Sequence, residues 1–280
     1  MIQQSESTRK ANLEAQSQFD RFEAKYIVHK SQLPGIREFI KPFCIPDPNA
    51  EGIPPEYVIT TLQLDSATLS LHYAKERELP NRFKLRCRTY GARPINPVFL
   101  EIKRKIQGVI VKSRAMIPRE FWGNPFTEGR QYKIPFRSAR ERLTYAEFGR
   151  LTETLGARPV MLIRYIRESY LGRYDRYSRV TFDRNMLYCP ARNCWDLPPE
   201  NARWRSMDST LALNRPFSGH ILELKTDRDA PQWMVELTQR FNLVRVGFCK
   251  YSTAIKMEML FQGACFSDTS ENCTENMMLL

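Results

Sequence analysis

The stretch NRFKLRCRTYG, residues 81–91, spaces Lys84, Arg86 and Arg88 two apart, with Leu85 and Cys87 between them. A β-strand sends alternate side chains to opposite faces, so as a strand this segment has one cationic side and one apolar side. Which side faces inward decides the fold.

Five further segments obey the same rule. In FLEIKRK, residues 99–105, Glu101, Lys103 and Lys105 share a side against Leu100 and Ile102, with Arg104 the exception. IVKSRAM repeats the scheme through Lys112 and Arg114, and RFEAKYIV through Glu23 and Lys25. SRVTFDR does so through Arg179, Thr181 and Asp183, and HILELKTD through Glu223 and Lys225. One strand of this kind fits the solvated face of an antiparallel sheet. A solvated face normally mixes signs, whereas these six are mainly basic. A barrel with charge inside and apolar side chains outside, beneath helices, accommodates them all.

Such an interior gathers Lys25, Lys84, Arg86, Arg88, Lys103, Lys105, Lys112, Arg114, Arg167, Arg179, Lys225 and Lys250 against Glu23, Glu101, Asp183 and Glu223. Two like charges ~6 Å apart repel by about 3 kcal/mol at an effective dielectric of 20, so the lining is tolerable only if water and a polyanion enter it. Arginine forks grip phosphate oxygens bidentately and lysines add point charge, which suits a chain of phosphates. Glu223, with Glu23 or Glu101, is the candidate holder of Mg²⁺ or Mn²⁺, hard ions that take oxygen ligands and keep several waters. The plainer reading of Glu23 and Glu101 is pairing with neighbouring cations.

Composition agrees. The 280 residues are 42% hydrophobic, enough for a sizeable core, and 43 Lys and Arg against 31 Asp and Glu give a net charge of +12, pointing to an anionic partner. The seven cysteines are scattered without a CxxC pair, and three histidines give no ligand spacing, so neither a disulfide framework nor a zinc site is expected. His29, His72 and His220 read as packing or surface residues. No GxxxxGK[ST] occurs, so ATP would be held by side chains. No helix-turn-helix, finger or RNP signature accompanies the basic residues, and nucleic acid is not the expected partner. MIQQSESTRK has no apolar run, and no stretch nears the ~20 apolar residues of a membrane span. The expected location is cytoplasmic.

Strand-like runs fall at 22–29, 57–65, 83–90, 98–106, 109–117, 161–172, 178–188 and 219–226, with a hairpin at Gln107 and Gly108. Helices are expected from Ser31 with Leu33, Ile36 and Ile40 inward, and from Ser66. A third covers SARERLTYAEFGRLTETLGARP, with Leu143, Phe148, Leu151 and Leu155 as its stripe and Gly156 at its end; a fourth lies near residue 235. Residues 190–218 resemble an insertion loop. Segments 1–18 and 261–280 read as disordered tails around one domain, 19–260.

In order along the chain, RFEAKYIV, ITTLQLDSATLSLHYAK, FKLRCRTYG, FLEIKRK, VKSRAMI, VMLIRYIRESYLGRY, RVTFDRN, HILELKTD and CKYSTA resemble the successive blocks of the VTC domain, the polyphosphate polymerase member of the triphosphate tunnel metalloenzymes. The resemblance spans residues 19–257. It implies an α+β fold built on an eight-stranded antiparallel β-barrel, a tunnel that binds ATP or polyphosphate with a divalent metal. It also implies transfer of the γ-phosphoryl group of ATP to a growing polyphosphate chain. Motif by motif, Lys25, Arg86, Arg88, Lys103, Arg167, Arg179 and Lys250 match the family's phosphate-binding residues and Glu223 its metal-binding glutamate; Lys112 and Arg114 match its basic pair less closely. Gln63 and Leu64 depart from the family's aromatic second block. No helical sensor of the SPX type and no membrane helix accompanies the domain, so regulation and translocation of that kind are not expected to carry over. Two alternatives keep the tunnel: a tripolyphosphatase using Glu23 or Glu101 as base, and a polyphosphate-binding module without turnover. Acceptor, chain length and oligomeric state are left open.

Overall fold

The computed structural model describes residues 22–91, 97–107, 109–123, 134–175, 177–197, 202–227 and 229–262. The proposed tails at 1–18 and beyond 262, with Gly108, Cys265 and Cys273, lie outside these residues. Ten strands form one antiparallel sheet: β1 (Phe22–Val28), β2 (Cys44–Pro46), β3 (Glu56–Asp65), β4 (Asn81–Tyr90), β5 (Val98–Ile106), β6 (Val109–Ile117), β7 (Arg158–Gly172), β8 (Arg179–Pro190), β9 (Arg205–Ser206) and β10 (His220–Thr226). Its main path runs β1-β10-β8-β7-β3-β4-β5-β6, with β2 beside β7 and β9 beside β8. All eight expected strands are present; the two-residue β9 and three-residue β2 were too short for alternation to reveal. Gln107, at φ +47°, makes the tight turn of the β5–β6 hairpin.

The barrel does not close. β1 and β6 are the two ends of the path, with no backbone pairing between them among the described residues. The sheet nevertheless curls strongly. β1 and β5 are six strand steps apart, which at ~4.8 Å per step would separate them by ~29 Å in a flat sheet. Yet Lys103 Nζ on β5 lies 3.5 Å from Glu23 Oε2 on β1. Bulges between Gln63 and Leu64 of β3, and between Arg164 and Ile166 of β7, increase the local bend. The result is a trough whose rims approach through side chains instead of a sealed cylinder.

Its convex side is apolar and covered by helices. Leu85, Cys87, Leu100, Ile102 and Ile117 pack with Phe148 of α3 (Ala139–Thr154). Val28, Leu222, Leu224, Val180 and Phe182 pack against α1 (Leu33–Ile40) and α5 (Gln232–Arg240). Each such aliphatic side chain, fully buried, contributes roughly 1.5–3 kcal/mol, which fixes the alternation: the apolar set goes out under the helices and the charged set goes in. Arg104, the exception in its strand, points to the helical side, where Nη2 donates to Glu147 of α3 at 2.5 Å.

Helix starts differ in detail from expectation. Ser138 caps α3, its Oγ accepting from Glu141 N at 3.2 Å, and Gly156 ends it at φ +56°. However, Leu143 of the expected stripe is exposed, and Thr144, Phe148 and Thr152 form the buried side. α1 begins after Gln32, Ser31 lying in a preceding 3-10 turn, while α2 (Ser70–Glu76) begins four residues beyond Ser66. The 190–218 segment is more than a loop: Leu197 and Met207 enter the core, and α4 (Thr210–Leu213) caps it. α6 (Lys250–Phe261) extends one residue past the expected domain end. Its Tyr251, Ala254 and Ile255 pack on Ile59, Ile163 and Ile221. Those strand residues share the faces of Thr61, Arg167 and Glu223, so α6 lies across the concave side and floors the trough.

Candidate anion-binding site

The trough holds a cavity of about 810 Å³ of empty space. Lys25, Lys84, Arg86, Arg88, Lys103, Lys112, Arg167, Lys225 and Lys250 line it, with Glu23 and Glu223. Lys105 lies in the adjoining opening at one end, together with Arg82 and Arg245, and Arg114 lines the opening at the other. Arg179 borders both that second opening and the gap between the β1 and β6 rims. Every cation assigned to the lining from sequence therefore reaches the cavity or one of its openings.

Strand register sorts these charges into rows. On β4, β5 and β6, Arg86 opposes Glu101, which opposes Arg114. Glu101 Oε2 accepts from Arg86 Nε at 2.6 Å and lies 3.4 Å from Arg88 Nη2, while its Oε1 is 3.5 Å from Arg114 Nε. Burial would raise this carboxyl, but Arg86, Arg88 and Arg114 outweigh it and bring it down to about 2. One step along the strands, Lys84 opposes Lys103, which opposes Lys112. Like charges directly opposite one another are unfavourable. Burial pushes the Lys103 ammonium down to about 8, Glu23 only partly offsetting it. Lys112 is lowered towards about 7 by its surroundings and by Lys225 and Lys103, although its exposed side chain lets solvent screen part of this.

The other wall is more evenly matched. Arg167 grips Asp183 with two parallel bonds, Nε–Oδ1 at 2.7 Å and Nη2–Oδ2 at 2.8 Å, and Lys250 Nζ donates to the same carboxylate at 2.6 Å. Asp183 is fully buried, and Arg167 and Lys250 hold it ionised against that burial. Lys25 is 3.0 Å from Glu23 and opposes Glu223 across β1 and β10. Burial would lower Lys25, but Glu223 and Glu23 keep it above the usual lysine range. Glu223 contacts Lys225 and lies 3.9 Å from Arg167; burial would raise it, but Lys225, Lys25 and Arg167 hold it well below the ordinary carboxylate value.

Two buried polar atoms of the concave face, Arg88 Nε on β4 and Thr181 Oγ1 on β8, have no protein partner among the described residues. Both are polar groups that a ligand oxygen or water would satisfy. Tyr165 also lines the cavity, as do Tyr251 and Cys249, which were not singled out from sequence. Lys84 Nζ lies 2.7 Å from Cys249 Sγ, and although burial raises this thiol, Lys84 lowers it to about 6. Nothing in CKYSTA marks the cysteine, because its partner is 165 residues away. Among the described residues no three His, Cys, Asp or Glu side chains come together as a metal cage, and no cysteine is in a disulfide. No helix among them is long and apolar enough to cross a membrane.

The chain is similar in part to a solved structure, that of the PH1819 protein from Pyrococcus horikoshii OT3. The two are 12% identical, the match covers 85% of this chain and 99% of that one, and the TM-score is 0.44. No curated protein sequence matches. The VTC domain family model matches residues 20–259, ending in the last turn of α6. The chain belongs to the VTC domain family.

Proposed function

We propose that this domain is a metal-dependent phosphotransferase that moves the γ-phosphoryl group of ATP onto a growing inorganic polyphosphate chain. The observation that carries this reading is the row Lys84–Lys103–Lys112 beside the guanidinium cluster of Arg86, Arg88 and Arg114, a concentration of positive charge that folding alone does not reward. Phosphate oxygens neutralise it, and Arg88 Nε gains the acceptor it otherwise lacks. In this reading Arg86, Arg88, Lys103, Arg167 and Arg179 hold the nucleotide phosphates, with Lys25, Lys84, Lys105, Lys112, Arg114, Lys225 and Lys250 extending the cationic path.

The donor set fits Mg²⁺ or Mn²⁺ in the mode these ions prefer, one or two protein carboxylates completed by phosphate oxygens and water. Glu223 and Glu23, on adjacent strands, would hold it, exchanging contacts with Lys225, Arg167, Lys25 and Lys103; Glu101 is the least suited of the three, because three guanidinium groups surround its oxygens. A bound divalent ion would neutralise charge on the phosphate oxygens. Transfer breaks the bond between the γ-phosphorus and its bridging oxygen, releasing ADP, and forms one to a terminal oxygen of the acceptor chain. That oxygen is already anionic, so the protein's task is alignment and charge stabilisation, and no general base is needed.

The hydrolytic alternative asks Glu23 or Glu101 to activate water. Both are held far below the usual range by their cationic neighbours, which makes them weak bases. Incubation with ATP and Mn²⁺ tests the choice: long polyphosphate on a gel, lost in Glu223→Gln, is the expected result. Orthophosphate as the sole product would favour hydrolysis, and binding without turnover would leave a polyphosphate-binding module.

A further inference from the structure

The two ends of the cavity differ in chemistry. At the Lys105 end the opening is strongly basic: Lys75, Arg82, Lys84, Lys103, Lys105 and Arg245 outnumber Glu23 and Glu78, and its aromatic rings are Phe83 and Phe248. The opposite opening, about 1500 Å³ of empty space, is walled by Tyr57, Tyr90 and Phe99. Their rings pack edge to face, Tyr57 to Tyr90 at 5.8 Å and Tyr90 to Phe99 at 5.6 Å. The Arg114 guanidinium lies 3.7 Å over the Phe99 ring and its side chain is 44% exposed, so a flat cation backed by an aromatic ring stands in the opening.

This wall is continuous with the phosphate-facing residues. Along β4 the inward side chains run Lys84, Arg86, Arg88, Tyr90, so the aromatic end follows the last arginine by one strand repeat, ~7 Å. Arg88 Nη1 donates to Tyr90 Oη at 3.3 Å and Arg114 Nη2 to the same oxygen at 3.0 Å. Burial would raise the Tyr90 phenol, but Arg88 and Arg114 together lower it. Asp47, Glu51 and Glu56 also border this opening. Here three carboxylates stand against Arg114 and Arg179, the reverse of the balance at the Lys105 end; this disfavours a phosphate chain, whereas carboxylates accept hydrogen bonds from sugar hydroxyls and ring amino groups.

We propose that the Tyr57–Tyr90–Phe99 opening takes the nucleoside end of a nucleoside triphosphate, its base stacked against Tyr90 and the Arg114–Phe99 pair, so that the phosphates run inward toward Lys103 and the Lys105 end. The inference rests on the phosphate-binding reading above and adds an orientation and a base-binding surface to it. Stacking on one aromatic side chain changes affinity by about 5- to 150-fold, and such surfaces tolerate different bases.

Calorimetric titration with three ligands tests it: ATP, ribose 5-triphosphate, which lacks the base, and inorganic tripolyphosphate. Wild-type protein should bind ATP at least about fivefold more tightly than ribose 5-triphosphate. Phe99→Leu should remove that advantage while leaving tripolyphosphate affinity within about twofold; Tyr90→Ala should remove it as well, and Tyr90→Phe should keep it. Equal binding of ATP and ribose 5-triphosphate by wild type overturns the proposal without needing any variant to fold. So does an equal loss of ATP and tripolyphosphate binding in a folded Phe99→Leu protein. Failure of wild type to bind tripolyphosphate at all would instead overturn the underlying phosphate-binding reading.

Discussion

On β1, β10, β8 and β7, Lys25, Lys225, Arg179 and Arg167, joined by Lys250 of α6, face Glu23, Glu223 and Asp183. On β4, β5 and β6, Lys84, Arg86, Arg88, Lys103, Lys105, Lys112 and Arg114 share one carboxylate of their own strands, Glu101, with Glu23 of β1 reaching Lys103 across the trough. The first wall largely brings its own counter-ions and is held together by them, as the Arg167–Asp183–Lys250 cluster shows. The second wall has fewer, Glu101 for its three arginines and Glu23 of the facing rim for Lys103, so its excess charge is available to a ligand and opposes the empty folded state. Removing an acid from the first wall should damage the fold; removing a cation from the second should damage binding.

The strongest way to break this contrast is Asp183→Ala. It leaves Arg167 and Lys250 buried without their partner and should cost about 3–5 kcal/mol in urea unfolding. A loss below 1 kcal/mol would show that the first wall is not held by its ion pairs. Next is Glu101→Gln, which removes the one carboxylate of the second wall. In the folded protein Glu101 ionises near 2, below its ordinary 4.5, so the unfolded chain binds more protons between those values. Its stabilisation is present above about pH 4.5 and lost as pH falls towards 2, of order 3 kcal/mol in all. The variant should be less stable at pH 6 and show a flatter acid limb, measured by denaturant midpoints across pH.

Lys103→Met sharpens the comparison from the other side. Tripolyphosphate affinity should fall roughly 10- to 100-fold, the equivalent of ~1.5–3 kcal/mol for a charged hydrogen bond, while the unfolding midpoint stays level or rises. The smallest effect concerns pH. With Lys103 depressed to about 8, its charged form weakens the fold below pH 8, and that penalty is relieved as pH rises through 8 towards 10.5. Anion binding has the opposite trend: the Lys103 contribution should decline by at most about tenfold per pH unit above 8. Subtracting the Lys103→Met titration isolates it from ionisation of the ligand.

The period of two made the strands and the inward set of charges readable, because burying Leu85, Cys87, Leu100 and Ile102 forces Lys84, Arg86, Glu101 and Lys103 to the opposite face. The same logic exposes Arg104, whose partner Glu147 lies on α3. Closure was not readable: whether β1 and β6 join depends on edges 80 residues apart in sequence, not on alternation within either. The family resemblance implied a closed barrel, and the observed sheet stops short of one. Tyr251 and Cys249 escaped notice for a related reason. They reach the cavity only because α6 crosses the concave face, a placement set by long-range packing on Ile59, Ile163 and Ile221. Leu143 misled because Thr144 and Thr152, polar by type, make the α3 contact instead.

The unclosed rim has a bearing on solubility. β1 has its outer edge partly occupied, since Val246 N donates to Lys25 O at 2.8 Å, but β6 has no strand on its far side among the described residues. Val109, Ile110 and Val111 there are strongly β-forming, and a bare edge of that composition invites strand addition from a second molecule. Lys112 and Arg114 interrupt it with like charge on every copy, so the side chains assigned to a polyanion also act as gatekeepers against intermolecular zippering.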